Sequence, residues 1–354
     1  MTTVIYLDRN ENRFGAAPEC VDILHNVDSA MLSTYSRDFL RGVKSTLSET
    51  LAQQLGIPER NILLSYGSED MLKQTVHCYL SSGKTMMIPQ YSWWYYKSVA
   101  DECGGTVAEY PLQCSQQSFS YDVKKIVSAM RSVKPQLLLI ASPNNPTGNS
   151  LSLDELKIIL NESPATRVVV DEAYFGFSNE SSESLPQLTR QFPHLAVLRT
   201  FSKLYALAGM RIGYACVGGQ YEKLITYSAR YLGYNTLSEQ LALAALRNKE
   251  YYKHVGSVVA EERSRYYEFF DALDSCTAYR SNANFILVKI PPEAMVPLGE
   301  HLQNAGIAVK FYSTDMLASH IRITIGTTAE NSQLIQALQT FFTRQLITDS
   351  PLRR

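Results

Sequence analysis

Lys203 lies in the stretch Thr200–Tyr214, TFSKLYALAGMRIGY, with Thr200 and Ser202 just before it and Arg211 eight positions after it. Leucine, tyrosine and alanine follow the lysine, poor company for a solvated ammonium. Burial in such a setting lowers an ammonium pKa. A lysine that can lose its proton near neutrality attacks carbonyls, the first requirement for an internal Schiff base. A lone lysine at a loop end is ordinarily a surface residue, so its neighbours in space decide the matter.

Four other polar stretches bear on it: YGSED at Tyr66–Asp70, PQYSWW at Pro89–Trp94, SPNNPTG at Ser142–Gly148 and DEAY at Asp171–Tyr174. Each alone has an ordinary reading. GSED suits a helix N-terminus, NNPTG a turn, the aromatic run a core cluster, and Asp171 a cap. Together they match the needs of pyridoxal 5′-phosphate held on Lys203. Asp171 would keep the pyridine nitrogen protonated, so that the ring acts as an electron sink. Tyr174 and Asn145 would donate to the phenolic oxygen. Ser68, Glu69 (through its backbone), Thr200, Ser202 and Arg211 would hold the phosphate. Tyr91, or Trp94 behind it, would cover the ring face.

The elements that must position these groups alternate along the chain. Apolar runs at Ile62–Leu64, Met86–Ile88, Gln136–Ala141, Val168–Val170 and Leu195–Leu198 read as strands, each ending in one of the polar stretches, and Arg211–Val217 reads as another. Helices are expected at Pro18–Asn26, 43–55, Glu69–Leu80 and Leu151–Leu160. This pattern predicts an α/β fold whose mostly parallel sheet carries helices on both faces. Ligands in such sheets bind at the carboxyl ends of the strands. After Arg247 the composition changes. A long charged helix over 248–271 leads to strands at Asn284–Ile290, Gly306–Tyr312 and His320–Gly326, with helices at Met295–Asn304 and Asn331–Leu346. Residues 1–30 read as an arm with a strand at Val4–Leu7, and Asp349–Arg354 as a frayed tail. The expected division is an arm of 1–30 belonging with the smaller domain, a large cofactor-binding domain of 31–247, and a small domain of 248–354.

With 354 residues, the chain is long enough for about two domains. A formal net charge of −1 gives no field for nucleic acid or a membrane surface. The six cysteines are scattered, without CxxC or metal-ligand spacing, so neither a disulfide framework nor a metal site is expected. The N-terminus lacks a secretory pattern, no apolar stretch approaches a membrane span, and the expected compartment is the cytoplasm. A dinucleotide-binding protein is disfavoured because no GxGxxG follows the first strand. A ligand-sensing regulator is disfavoured by the lack of a fused DNA-binding region.

The sequence resembles the class I/II pyridoxal-phosphate-dependent aminotransferases, and among them the histidinol-phosphate aminotransferase branch. The matching pieces are NEN at Asn10–Asn12, YGSED, PQYSWW, SPNNPTG, VVVDEAYFGF at Val168–Phe177, RTFSKLYALAGMRIGY at Arg199–Tyr214, ANF at Ala283–Phe285 and IRITIG at Ile321–Gly326. The resemblance implies the pyridoxal-phosphate transferase fold of the aspartate aminotransferase kind, with Lys203 as Schiff-base lysine, Asp171 as pyridinium partner and Arg211 as phosphate arginine. It further implies that Arg322 clamps the substrate α-carboxylate. Tyr35 would reach the cofactor phosphate of a second subunit, in a homodimer with shared active sites. The implied reaction is a ping-pong transamination between an amino donor and a 2-oxo acid, and the alternative is a threonine-phosphate decarboxylase-like enzyme or another amino-acid-modifying enzyme of the same fold. Two departures concern the substrate: Phe14 stands where the branch usually has tyrosine, and Lys310 where it usually has arginine. Both positions are associated in the branch with the distal phosphate of histidinol phosphate, and a point charge is a poorer phosphate ligand than a bidentate fork.

Overall fold

The computed structural model describes residues 4–178, 184–230, 232–313 and 317–348; the expected tail at Asp349–Arg354 lies outside them. In chain order the strands are β1 (Ile5–Leu7), β2 (Ile62–Ser65), β3 (Thr85–Pro89), β4 (Thr106–Tyr110), β5 (Leu112–Cys114), β6 (Phe119–Tyr121) and β7 (Leu137–Ala141). They continue with β8 (Arg167–Asp171), β9 (Leu195–Thr200), β10 (Gly213–Val217), β11 (Thr277–Tyr279), β12 (Phe285–Lys289), β13 (Ile307–Phe311) and β14 (His320–Thr324).

A seven-stranded sheet takes the order β2-β10-β9-β8-β7-β3-β4. Its middle strands are buried along nearly their whole length. Leu137–Ala141 and Val168–Val170 are therefore apolar without alternation, as a strand covered on both faces requires. One apolar cluster, with Met71, Leu72, Val76 and Val99, fills one face. A larger cluster containing Ile126, Leu156, Ile159 and Leu160 fills the other. Six of these strands run parallel and β10 runs against both neighbours. That reversal matters for the site. Gly213, the first residue of β10, pairs with Thr200 and Ser65, the last residues of β9 and β2. The start of β10, not its end, thus meets the carboxyl ends of the other strands. Arg211 is delivered there.

The second sheet has the order β1-β13-β14-β12-β11. β1 lies parallel to β13 at its edge, some three hundred residues away in sequence. The 23-residue helix Lys249–Asp271 leads into this sheet, and Arg13 binds Glu330 through Nε (3.0 Å) and Nη2 (2.7 Å), fastening the arm to the helix Thr328–Thr348.

Several expected boundaries move for local reasons. The helix expected over 43–55 starts at Thr46, because Ser45 and Ser48 form a reciprocal capping box before it. The helix expected at Leu151 starts at Leu153, after Ser152, which caps Glu155 in the same way. Arg211 is not in a strand: it takes a left-handed conformation with φ 51°, and β10 begins two residues later. The sequence reading also omits the hairpin β5–β6, the strand β11, and the helices Val123–Val133, Glu222–Ser228 and Thr236–Arg247.

Candidate active site

The carboxyl ends of β2, β3, β7, β8 and β9 share one edge of the large sheet, and the arm passes across it. Lys203, just beyond β9, is half-buried, and its Nζ donates to the Arg9 carbonyl at 3.0 Å. The ammonium lies 5.7 Å from the ring centre of Tyr174. Burial, with lesser pushes from the Arg322 and Arg211 charges, lowers its pKa to about 8. Half the amine is then neutral and nucleophilic near pH 8. Its reaction with a small aldehyde should therefore rise with pH around a midpoint near 8. Competition labelling of the cofactor-free protein measures this, and a midpoint near 10.5 would contradict the assigned environment. In the cofactor-free protein the sign is set by linkage: stability is lowest while the buried amine is charged and rises as pH climbs from about 8 towards the unfolded value.

Asp171 ends β8 and is buried. Its Oδ2 accepts from the Tyr96 hydroxyl at 2.9 Å and its Oδ1 from the Ala173 amide at 3.0 Å. Burial raises its pKa, and these two donors work against the rise. Behind it, Arg199 and Glu172 make a buried ion pair of 2.7 Å, and the Arg199 guanidinium covers the Phe175 ring.

The helix Ser68–Tyr79 begins at the end of β2 behind Gly67, with no side chain capping its first amides. This leaves backbone N–H groups and the positive end of the helix dipole facing the edge. Gly67 has φ 88°, and a Cβ there would lie 2.7 Å from Arg211 Nη2. The positive φ favours glycine there, and a side chain would also push the guanidinium from its place beside the helix start. Arg211 Nη1 donates to Ser202 Oγ at 3.4 Å and to the Ala208 carbonyl at 3.1 Å, and Nη2 is 3.8 Å from Glu69. Thr200 Oγ1 donates to Ser202 Oγ at 2.9 Å. Ser68, Glu69, Thr200, Ser202 and Arg211 are thus brought together in one polar concavity beside the helix start.

Across the edge, Arg322 on β14 is buried. Its Nη1 donates to Asn145 Oδ1 at 2.5 Å and its Nη2 to the Asp8 carbonyl at 2.6 Å, while Nε has no partner among the described residues. Lys310 pairs with Arg322 across β13 and β14, which places both side chains on the same face of the small sheet. Tyr91 is half-buried with φ 54°. Its carbonyl accepts from Asn144 at 3.0 Å and its ring meets Phe119 edge-on.

Three expected residues are not brought into this group within one chain. Tyr35 is 70% exposed. Phe14 sits further along the arm, its amide on Asn12 Oδ1 and its carbonyl accepting from Tyr251. Trp94 is 69% exposed at the start of the helix Tyr95–Glu102.

Sequence reading missed the supporting residues. Buried Asn10 donates from Nδ2 to the Tyr174 hydroxyl at 2.9 Å and from its amide to Thr324 at 2.9 Å, and its carbonyl accepts from Asn284 at 3.1 Å. Asp8, Arg9 and Asn10 thus tie Arg322, Lys203 and Tyr174 together through consecutive residues. The positive φ of Asn10, 55°, is a conformation asparagine tolerates better than most. The NEN motif marks the place without revealing those partners.

Comparison with known proteins agrees with this architecture. The chain is 30% identical to a histidinol-phosphate aminotransferase of Ruminiclostridium cellulolyticum, over 94% of this chain and 91% of that one. It is 32% identical to histidinol-phosphate aminotransferase 2 of Archaeoglobus fulgidus, over 95% and 92%. Its fold matches the crystal structure of histidinol-phosphate aminotransferase from Sinorhizobium meliloti in complex with pyridoxal-5′-phosphate, with TM-score 0.85, 22% identity and coverage of 97% and 92%. It also matches L-threonine-O-3-phosphate decarboxylase from Porphyromonas gingivalis, with TM-score 0.80, 19% identity and coverage of 96% and 100%. The model of aminotransferase class I and II matches residues 2–338, and the chain belongs to that family.

Proposed function

We propose that this aminotransferase works with pyridoxal 5′-phosphate and moves an amino group between an amino acid, or an amino-alcohol phosphate, and a 2-oxo acid. The observation that carries the reading is the convergence of Lys203, Asp171, the Ser68–Arg211 concavity and Arg322 on one sheet edge. The residues fit such a cofactor: a half-neutral amine, a buried carboxylate, a cradle that a Cβ at Gly67 would fill, and an orphaned Arg322 Nε. When bound, the cofactor supplies an electron sink for charge developing at the substrate α-carbon.

The chain's own residues do the rest. Lys203 Nζ would take and carry the proton of the substrate α-carbon, a role suited to an amine whose pKa lies near the working pH. Asp171 supplies the negative charge opposite the pyridine nitrogen. Tyr174 and Asn145 hold the phenolic oxygen. The hydroxyls of Ser68, Thr200 and Ser202, the first helix amides and the Arg211 fork bind the phosphate. Arg322 exchanges its present acceptors for the substrate carboxylate, a bidentate pairing. Tyr91 is favoured over Trp94 as ring cover, because its backbone is held by Asn144 and its ring is half-buried.

A homodimer is part of the proposal. Tyr35 stands on a surface with Leu32, Phe39 and Leu40, all exposed. Covering that patch with a second copy would carry Tyr35 towards the partner's phosphate concavity. So are a cytoplasmic location and a division into a large domain of 31–247 and a small one of 248–354 with the arm 1–30.

The substrate test is a panel of amino donors mixed with the cofactor-loaded protein, following conversion to the amine form of the cofactor by absorbance. Phe14 and Lys310 predict that histidinol phosphate reacts poorly beside the best donor of the panel. Efficient conversion of histidinol phosphate would contradict that reading, and release of carbon dioxide without an oxo product would contradict transamination itself.

A further inference from the structure

We propose that Tyr96 is a positioning residue: its hydroxyl holds the Asp171 carboxylate ionised and aimed, and so sets the protonation of the cofactor nitrogen. The proposal rests on the cofactor reading above.

The geometry is specific. Tyr96 lies in the first turn of the helix Tyr95–Glu102, which follows the aromatic loop after β3. Its ring packs edge-on against Trp93. Its hydroxyl crosses to Asp171 Oδ2 at 2.9 Å. Both residues are buried. A carboxylate offers about four lone-pair sites. Tyr96 fills one on Oδ2, the Ala173 amide one on Oδ1, and each oxygen keeps capacity for the site.

No neighbouring phenol substitutes for it. Tyr121 donates to the Ala141 carbonyl, and the Tyr174 hydroxyl, which accepts from Asn10, makes no hydrogen bond to Asp171 among the described residues. The adjacent Glu172 is committed to Arg199. Buried away from water, a phenol remains protonated, and a hydrogen bond given to a carboxylate favours its charged form. Without that bond, the pair of Asp171 and cofactor nitrogen shifts from carboxylate and pyridinium towards carboxylic acid and neutral pyridine. Tyr96 touches neither the substrate nor the reacting atoms in this scheme; it acts through Asp171.

The test is a double-mutant cycle of Tyr96→Phe and Asp171→Ala on the whole protein. It reads cofactor affinity and the 15N resonance of ring-labelled pyridoxal 5′-phosphate. Tyr96→Phe keeps the ring that packs on Trp93, and thermal melting of the cofactor-free form checks its fold. If it fails to fold, Tyr96→Met carries the same test. With Asp171 present, the loss of a hydrogen bond to a charged group should weaken cofactor binding about tenfold. It should also move the 15N signal towards neutral pyridine. In the Asp171→Ala background, neither quantity should change further. An unchanged signal and affinity in Tyr96→Phe would overturn the proposal. So would equal effects in both backgrounds, since Tyr96 would then act by packing alone. A wild-type protein that does not bind the cofactor would overturn the underlying reading instead, and the proposal with it.

Discussion

Replacing Lys203 with alanine is expected to slow the half-reaction with any amino donor by at least about 10³-fold, because in the proposed function one side chain supplies both the covalent anchor and the proton carrier. The visible band of the lysine-linked cofactor should vanish at the same time. The cofactor itself should still bind, since the proposed phosphate contacts of Ser68, Thr200, Ser202 and Arg211 do not depend on the amine. Stopped-flow absorbance measures the rate, and equilibrium dialysis the retained cofactor. The variant should fold well. Lys203 is a half-buried amine with a depressed pKa, so its removal relieves a desolvation cost. Wild-type turnover in Lys203→Ala would remove the residue from the mechanism.

Asp171→Ala carries the second large effect. Its carboxylate lies at a buried strand end, and in the proposed function its charge is needed when negative charge develops on the substrate. Loss of such a preorganised group costs about 10²- to 10³-fold in rate. Stability should move the other way. Burial raises the Asp171 pKa, so in the cofactor-free protein its ionisation lowers stability as pH rises from the usual carboxylate range through the raised value. At neutral pH the alanine variant escapes that penalty, while leaving the Tyr96 hydroxyl without its acceptor. Denaturant melts of the cofactor-free forms at pH 5 and pH 8 measure the balance. The expected result is a loss of activity far out of proportion to any loss of stability, as for a group kept at a cost in folding for the sake of its charge. Near wild-type turnover would refute the role.

Much of the large sheet was legible because its signals are local. A run such as Val168–Val170 is buried on both faces, and the polar residues that follow mark the edge where parallel strands end. Lys203, Asp171 and Asn145 could be placed from that rule. The reversed β10 could not. A buried antiparallel strand reads like a buried parallel one, and only its pairing shows that Arg211 reaches the site by preceding its strand. β1 was legible as a strand, but its partner β13 lies at the other end of the chain, and three residues carry no register of their own. The hairpin β5–β6 is too short for its alternation to stand out.

The supporting shell was harder still. Tyr96 looked like one more ring in an aromatic run, since nothing in PQYSWWYY says which hydroxyl turns inward. Asn10 was visible as a motif residue, but its bonds to Tyr174, Thr324 and Asn284 join parts of the chain that only the fold brings together. Arg322 was named only by resemblance. Its environment shows why a strand arginine can be buried here: the arm and Asn145 provide its oxygen acceptors.

The central claim is that Lys203 carries the cofactor. The most direct measurement is borohydride reduction of the wild-type protein loaded with pyridoxal 5′-phosphate, followed by peptide mass spectrometry. A single reduced cofactor adduct on the peptide containing Lys203, absent when an excess of amino donor is added first, is the predicted result. An adduct on another lysine, or none at all, would contradict the account.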